Sequence, residues 1–485
     1  MGIGRRRQFL AMNIKLYNTM TRRAEEFKPL VPGRLGLYTC GPTVYSYQHI
    51  GNMRATVHFD IIARMFRANG YEVNHVLNVT DVGHLVNEDE DSGEDKMEKG
   101  ARLDGTTAWD VAQKYLDAFV ADTDALNIGR PAHMPRATGY IAEQIDMIKQ
   151  LEAIGYTYII PGKGVYYDTS KFAGYGKLSG QDLSKIRAGA RIDDTGKKNP
   201  TDFLLWGFSP TGAKREMEWD SPWGPGFPGW SIECSAMSMK LLGPHFDVHA
   251  GGHEHINVHH TNEIAQSEPI VGAPWVNYWV HHEWLMGKDG KMSKSNGEIY
   301  RVADLINLGY DPMAFRYLLL LGHYKSPLNF SLESLDAAAT GYENIVRKFA
   351  KIMRAAGTEQ NEPNRKKHDE WRDKILAAVN DNLRTAEALV IVQELLKDAD
   401  TDDATKFFLF GFIDALLGLQ FMDRARKLCI AEDAPVPVEI QALADARGAA
   451  KAAKDFARAD ELRAQVEAAG YAITDGADGV RIVKK

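Results

Sequence analysis

Cysteine is scarce in this sequence: Cys40, Cys234 and Cys429 are the three it has in 485 residues. Three cysteines cannot build a disulfide scaffold for a chain this long, and the expected compartment is the reducing cytoplasm. Long apolar runs are missing too. None approaches the roughly 18 residues of a membrane-spanning helix, so no membrane partner is expected. Positive charge is not in excess, the net charge being −7. That excludes a polycationic surface but leaves room for a local basic face that meets RNA. Internal repeats are absent. The opening MGIGRRRQFLAMN has an apolar segment of about three residues, too short for a signal-peptide core. Met12 reads as the working start, behind a short leader.

What the sequence does contain is organised around residues 35–60, LGLYTCGPTVYSYQHIGNMRATVHFD. An apolar run ends at Cys40, Gly41-Pro42 turns, and His49-Ile50-Gly51-Asn52 opens a helix over about 51–69. Strand, tight loop and helix N-terminus together present backbone N–H groups and a positive dipole end to phosphate. Gly70 closes the helix and the Val-rich YEVNHVLNVTD (71–81) is the next strand. A β-α-β unit of this kind predicts a parallel sheet, whose ligands bind beyond the carboxyl ends of the strands. Cys40, Thr80 and Asp81 fall at such ends.

The pattern predicts an α/β fold, with a Rossmann-like parallel-sheet catalytic domain, an insertion, an α-helical bundle and a small C-terminal α/β unit. The expected boundaries are a leader and first strand at 1–22, the first half of the sheet domain at 23–119, and a connective insertion at 120–225. The second half follows at 226–331, the bundle at 332–434 and the C-terminal unit at 435–485. Apolar residues three and four apart make 106–160 helical, while HFDVHAGG (245–252) reads as a strand and NVHHTNEIAQSE (257–268) as the start of a helix. Segments 371–397 and 404–424 read as amphipathic helices of a bundle. A hairpin is expected around Gly476–Gly479. The block 86–99, with seven carboxylates against two lysines, reads as a solvated loop.

Two constellations carry chemistry. His259 and Glu263 are four apart on a helix and share a face. With Cys40 and Cys234 they form a two-sulfur, one-nitrogen, one-oxygen set that zinc accepts. Spacing does not choose between His259 and the competing His249, His253, His255, His260 and His281, and free cysteines are often small buried hydrophobes. A zinc ion with one loose position would accept a substrate thiolate, rejecting serine and alanine without editing. The second constellation is Lys291-Met292-Ser293-Lys294-Ser295, whose lysines on a glycine-flanked loop suit a leaving pyrophosphate, with His49 facing the same phosphates.

The blocks CGPTVY…HIGN, WDSPWG…GWSIECSAM, HHTNEIAQSE and KMSKS, in that order, resemble the cysteinyl-tRNA synthetases, class I aminoacyl-tRNA synthetases, over essentially the whole chain from Met12. The resemblance implies that Cys40, Cys234, His259 and Glu263 hold one Zn(2+) per subunit and that Gly41, Thr80 and Trp230 line a cysteine pocket. His49 and Asn52 fall on the first ATP motif, with Asn in place of the commoner His. Lys291, Ser293 and Lys294 fall on the second, and Mg(2+) accompanies the ATP. The implied reaction joins L-cysteine to ATP as cysteinyl-adenylate and passes the cysteinyl group to the 3′-terminal adenosine of tRNA(Cys), in a monomer. The insertion is implied to pack by the acceptor end and the bundle to contact the tRNA. The C-terminal unit would read the anticodon, with Arg447, Lys451, Lys454 and Arg458 on a basic helix that suits the task. Two departures stand out: His253, Glu254, His255 and Thr261 replace commoner residues, and the tail RIVKK lacks a tryptophan.

Two other readings compete. A ligase of the same ancestry that passes cysteine to a small amine would not need the C-terminal arm. An RNA-binding protein without catalysis would need neither the metal set nor the phosphate motifs.

Overall fold

The structure, a computed structural model, describes residues 13–82, 85–87, 92–180, 196–209, 215–287, 290–291, 299–356, 362–433, 435–476 and 479–484. Two compact units emerge. One comprises residues up to 342 together with 370–394 and 415–419; the other comprises 343–369, 395–414 and 420–485.

The first unit is built on a four-stranded parallel sheet. Strand β1 (Arg34–Thr39) leads through helix α1 (Ile50–Ala68) to β2 (Glu72–Leu77). After the insertion, helix α2 (Ile232–Leu242) leads to β3 (Phe246–Gly252), and helix α3 (His259–Val271) leads to β4 (Val276–His282). The strand order is β4-β3-β1-β2 with every pairing parallel. All seven residues of β3 are buried, as expected of an inner parallel strand covered on both faces. The two halves meet where β1 pairs with β3, so the strand order reverses there. A crevice opens at such a switch point, beyond the carboxyl ends. Tyr38, Phe246, Trp275 and Trp279 fill the core on one side of the sheet.

The insertion forms its own antiparallel sheet from Thr157–Ile160, Gly164–Tyr167, Phe203–Phe208 and Gly226–Pro228, whose last strand lies just past residue 225. The acidic block is not one solvated loop. Leu85–Asn87 pairs antiparallel with Ser92–Asp95, and a helix runs from Lys96 to Asp104. Met97 and Ala101, four apart and buried, give that helix an apolar face the charge count conceals.

Two helices expected to be continuous are each broken. Arg365–Asn380 and Thr385–Lys397 are separated by Asn382 and Leu383, with φ of 60° and 58°. Asp403–Leu417 stops at Gly418, φ 68°, before Phe421–Asp433 begins. Left-handed residues cannot continue an α-helix. In the second unit, Val438–Ala452 and Phe456–Ala468 pack with the hairpin Tyr471–Gly476/Gly479–Lys484 around Ile440, Ala444, Val466 and Ile473.

Helix α1 is held from behind by a buried ion pair. Arg316 donates to Asp60 Oδ2 at 2.6 Å and to the carbonyls of Leu126 and Leu417 at 2.9 Å each. Asp60 also accepts from Arg64 at 2.7 Å and from the Gly129 N–H at 2.9 Å. Burial alone would raise the Asp60 pKa, but Arg316 and Arg64 outweigh it and hold it below the ordinary carboxylate range. Such a pair is costly to break one-sidedly. Arg316→Met is expected to destabilise this unit by about 3–5 kcal/mol, read from the urea midpoint at pH 7. With the folded pKa depressed, this stabilisation is complete above the unfolded value of about 3.9 and is lost as pH falls through the folded value. The gap between variant and parent should therefore close in acid.

Candidate active site

A cavity of about 390 Å³ lies beyond the carboxyl ends of β1 and β3. Cys40, Gly41 and Trp230 line it, as do His49 and Asn52. Cys40 continues the β1 ladder, its N–H donating to the Ala250 carbonyl at 3.0 Å. Gly41 is required by close approach: a Cβ there would lie 1.8 Å from the Asn78 carbonyl oxygen. Its N–H donates to Asn78 Oδ1 at 2.9 Å, and Asn78 Nδ2 donates to Thr80 Oγ1 at 2.9 Å. Thr80 donates in turn to the buried Glu233 carboxylate. Thr80 is thus brought behind the cavity wall, where it braces the Gly41 turn, and is not among the lining residues. Asp81 turns away to accept from the N–H and hydroxyl of Thr138 at 3.0 and 2.8 Å.

The start of α1 is capped by the motif itself. His49 Nδ1 accepts from the Gly51 N–H at 3.1 Å, and Asn52 Oδ1 accepts from the His49 N–H at 3.1 Å. An imidazole that accepts at Nδ1 carries its proton on Nε2, so both side chains offer N–H donors beside the helix dipole. Gly51 leaves room for this: a Cβ would meet the His49 ring at 2.8 Å. Arg54, one turn on and fully buried, donates to the carbonyls of Glu283, Trp284, His323 and Ser326, fixing the chain that leaves β4. Burial lowers its pKa to about 10. The sequence reading missed Arg54, although it directly follows HIGNM.

Behind the cavity, Cys40, His259, His260 and Glu263 present four ligand atoms within 4.8 Å of one another. Helix α3 places three of them through its i, i+1, i+4 spacing. Cys40 Sγ lies 3.1 Å from His260 Nε2, and His259 Nε2 lies 3.1 Å from Glu263 Oε1. His260 was only a competitor in the sequence reading; here it stands in the cluster. Cys234 lies alongside, its thiol a partner of both Cys40 and His259. Each of the three candidates on α3 has a second partner. Ser231 Oγ meets His259 Nδ1 at 3.2 Å, His281 Nε2 meets His260 Nδ1 at 2.8 Å, and His249 Nε2 meets Glu263 Oε2 at 2.8 Å.

The donor set fits a metal: a thiol sulfur, two imidazole nitrogens and a carboxylate oxygen converge within 4.8 Å, and Glu263 Oε1 makes no well-formed hydrogen bond among the described residues, with His259 Nε2 facing it at 3.1 Å. Burial pushes down the His260 and His281 pKa values, keeping those imidazoles neutral, and pushes up both Cys40 and Cys234. Burial works against the charges on His259 and Glu263 as well. Pairing with Cys234 and Glu263 nevertheless raises His259 to about 10, and His249 and His259 lower Glu263 to about 2. Trp230 packs its ring 4.6 Å from that of His259.

Of the stretch 291–295, Lys291 pairs with Met286 in a short ribbon, while Ser293 and Lys294 lie outside the described residues. At the C-terminal end, Lys451, Lys454 and Arg458 are exposed, but Arg447 is 5% exposed and belongs to the interior of its unit. No helix among the described residues is long and apolar enough to cross a membrane.

This fold is shared with solved class I synthetases. Mycobacterium tuberculosis methionyl-tRNA synthetase superposes with TM-score 0.54 at 15% identity, over 83% of this chain and 94% of that one. A LeuRS–tRNA–LeuAMS complex from Agrobacterium radiobacter gives 0.58 at 12%, over 82% and 86%. Residues 26–340 match the family model of the tRNA synthetases class I (C) catalytic domain. Cysteine–tRNA ligase of Treponema denticola is 43% identical over 96% of this chain and 98% of its own length. Cysteine–tRNA ligase 1 of Burkholderia lata is 43% identical over 97% of each. The chain belongs to the cysteinyl-tRNA synthetases.

Because a methyl at Gly51 would strike the imidazole, Gly51→Ala is expected to raise KM for ATP about tenfold while bound metal stays unchanged. Steady-state pyrophosphate exchange beside metal analysis checks this.

Proposed function

We propose that the chain activates L-cysteine with ATP to cysteinyl-adenylate and transfers the cysteinyl group to the 3′-terminal adenosine of tRNA(Cys). The observation that carries this reading is one cavity walled by both Cys40 of the thiol- and imidazole-rich cluster and the capped start of α1. The first suits a sulfur, the second a phosphate. Cys40, His259 and Glu263, with Cys234 or His260, would hold a zinc ion, which supplies a Lewis-acid contact to the substrate sulfur that serine and alanine cannot use.

His49 and Asn52 donate toward the phosphates of ATP, and their reciprocal caps hold both donors in place before substrate arrives. Trp230, packed at a tilt against His259, closes the cysteine side against water. Gly41, seated against Asn78, presents the β1 turn to the cysteine. Lys291, Ser293 and Lys294 would stabilise the leaving pyrophosphate, and Mg(2+) bound with ATP would supply further positive charge there. The carboxylate of cysteine is itself the nucleophile, so the protein's share is positioning and electrostatics. The C-terminal unit reads the anticodon, with Lys451, Lys454 and Arg458 on phosphates and the exposed Phe456 ring beside them as a stacking surface.

Charging of tRNA with cysteine and with serine, run with Cys234→Ala and His260→Ala, tests the reading and identifies the fourth ligand. Cysteine-only charging is expected. The substitution that removes a ligand should lose zinc and charging together, while the other keeps its zinc. Cysteine-dependent pyrophosphate exchange without any tRNA charging would instead favour the small-molecule ligase.

A second test concerns the basic helix. Changing Lys451, Lys454 and Arg458 together to Gln is expected to lower the slope of log affinity for tRNA against log salt by about 2–3. Arg447→Gln should instead lower the stability of the C-terminal unit.

A further inference from the structure

The loop between β1 and α1 carries an aromatic residue that neither the sulfur side nor the phosphate side explains. Tyr47 lines the cavity, yet it is 41% exposed. Its ring is nonetheless held in place. The Arg301 guanidinium lies over it at 4.6 Å. Tyr115, from the helix Ala108–Ala125, stands perpendicular to it, at 4.8 Å between centroids and 89° between planes. Arg301 is itself locked by a two-pronged grip on Asp304, at 3.1 Å from Nε and 2.8 Å from Nη2. The Tyr300 carbonyl accepts the Ile50 N–H at 2.9 Å, joining this segment to the start of α1. Three elements therefore build a corner that holds a partly exposed aromatic ring at the cavity rim.

A fixed, partly exposed aromatic ring offers a planar partner a stacking surface that needs little further ordering on binding. The charges around it are already neutralised, Arg301 by Asp304 and Lys114 by Asp104. The corner therefore attracts a flat partner by stacking rather than by net charge, and a nucleobase has that shape. Adenosine enters the reaction twice, in ATP and at the 3′ end of the tRNA. ATP is expected at the α1 cap with its phosphates on His49 and Asn52. The acyl acceptor comes from outside and crosses the rim last.

We propose that Tyr47, fixed by Arg301 and Tyr115, is the stacking platform for the single-stranded 3′ end of the tRNA as it enters the cavity. This rests on the function proposed above and assigns one of its steps to a residue outside the ATP and metal sets. Tyr47 acts by orienting the acceptor, so it is a binding and positioning residue.

The experiment compares Tyr47→Ala and Tyr47→Phe in three readouts: pyrophosphate exchange without RNA, KM for tRNA in charging, and the fluorescence of an RNA acceptor hairpin with 2-aminopurine at its 3′ end. Tyr47→Ala should raise KM for tRNA about tenfold, the worth of one stacked base. It should change exchange less than about twofold and abolish the quenching that the parent protein produces. Tyr47→Phe should behave like the parent. Equal loss of exchange and charging would place the ring under ATP and overturn the proposal, as would an unchanged KM. If Tyr47→Ala does not fold, absence of quenching by the parent protein alone overturns it. Failure of the parent to charge tRNA at all would instead defeat the function proposed above, a separate outcome.

Discussion

Everything at the reaction centre depends on one strand pairing. Parallel strands β1 and β3 lie side by side, Leu37 opposite Val248 and Thr39 opposite Ala250, although about 200 residues separate them in the chain. The ladder runs on to Cys40, whose N–H reaches Ala250. That single extra bond decides what Cys40 faces. A slip of one residue would send every side chain of β1 to the opposite face of the sheet. Cys40 would then leave His260, and the Gly41 turn would leave Asn78.

The centre divides labour by dielectric. Toward the sheet, burial strips water from thiols, imidazoles and a carboxylate, and their mutual charges are settled only within the cluster. Toward the helix, the N–H groups of α1 face a wetter cavity and need no such settlement. Cys40 and His49 are nine residues apart on one loop, so that loop spans both regimes. Arg54 and Arg316 serve this arrangement from behind, one tying α1 to the exit of β4, the other to segments 126–129 and 415–419.

Local chemistry was legible from sequence. His49 and Asn52 form a reciprocal cap readable from four consecutive residues, and His259 and Glu263 share a helix face by spacing alone. Long-range choices were harder. Nothing in the spacing distinguishes His260 from its neighbours, because its place beside Cys40 comes from the β1–β3 register rather than from α3. Thr80 ends a strand and was placed in the cysteine pocket by resemblance, yet its hydroxyl donates to Glu233 and it does not line the cavity. Arg447 counts as a cation in composition, yet it lies on the inner side of its helix with Ile440 and Ala444. The helix breaks at Asn382–Leu383 and Gly418 are backbone choices that no amphipathic pattern records.

The insertion has a consequence for synthesis. β1, α1 and β2 leave the ribosome as a finished half, while the strand that must lie beside β1 follows about 170 residues behind the end of β2. At roughly 5–20 residues per second, β1 therefore waits about 10–30 seconds with one hydrogen-bonding edge unpartnered. An open edge next to apolar Leu35 and Leu37 is an invitation to foreign strands. Nascent-chain protection is thus a need written into the connectivity of this fold, and it is greatest before the catalytic cavity exists.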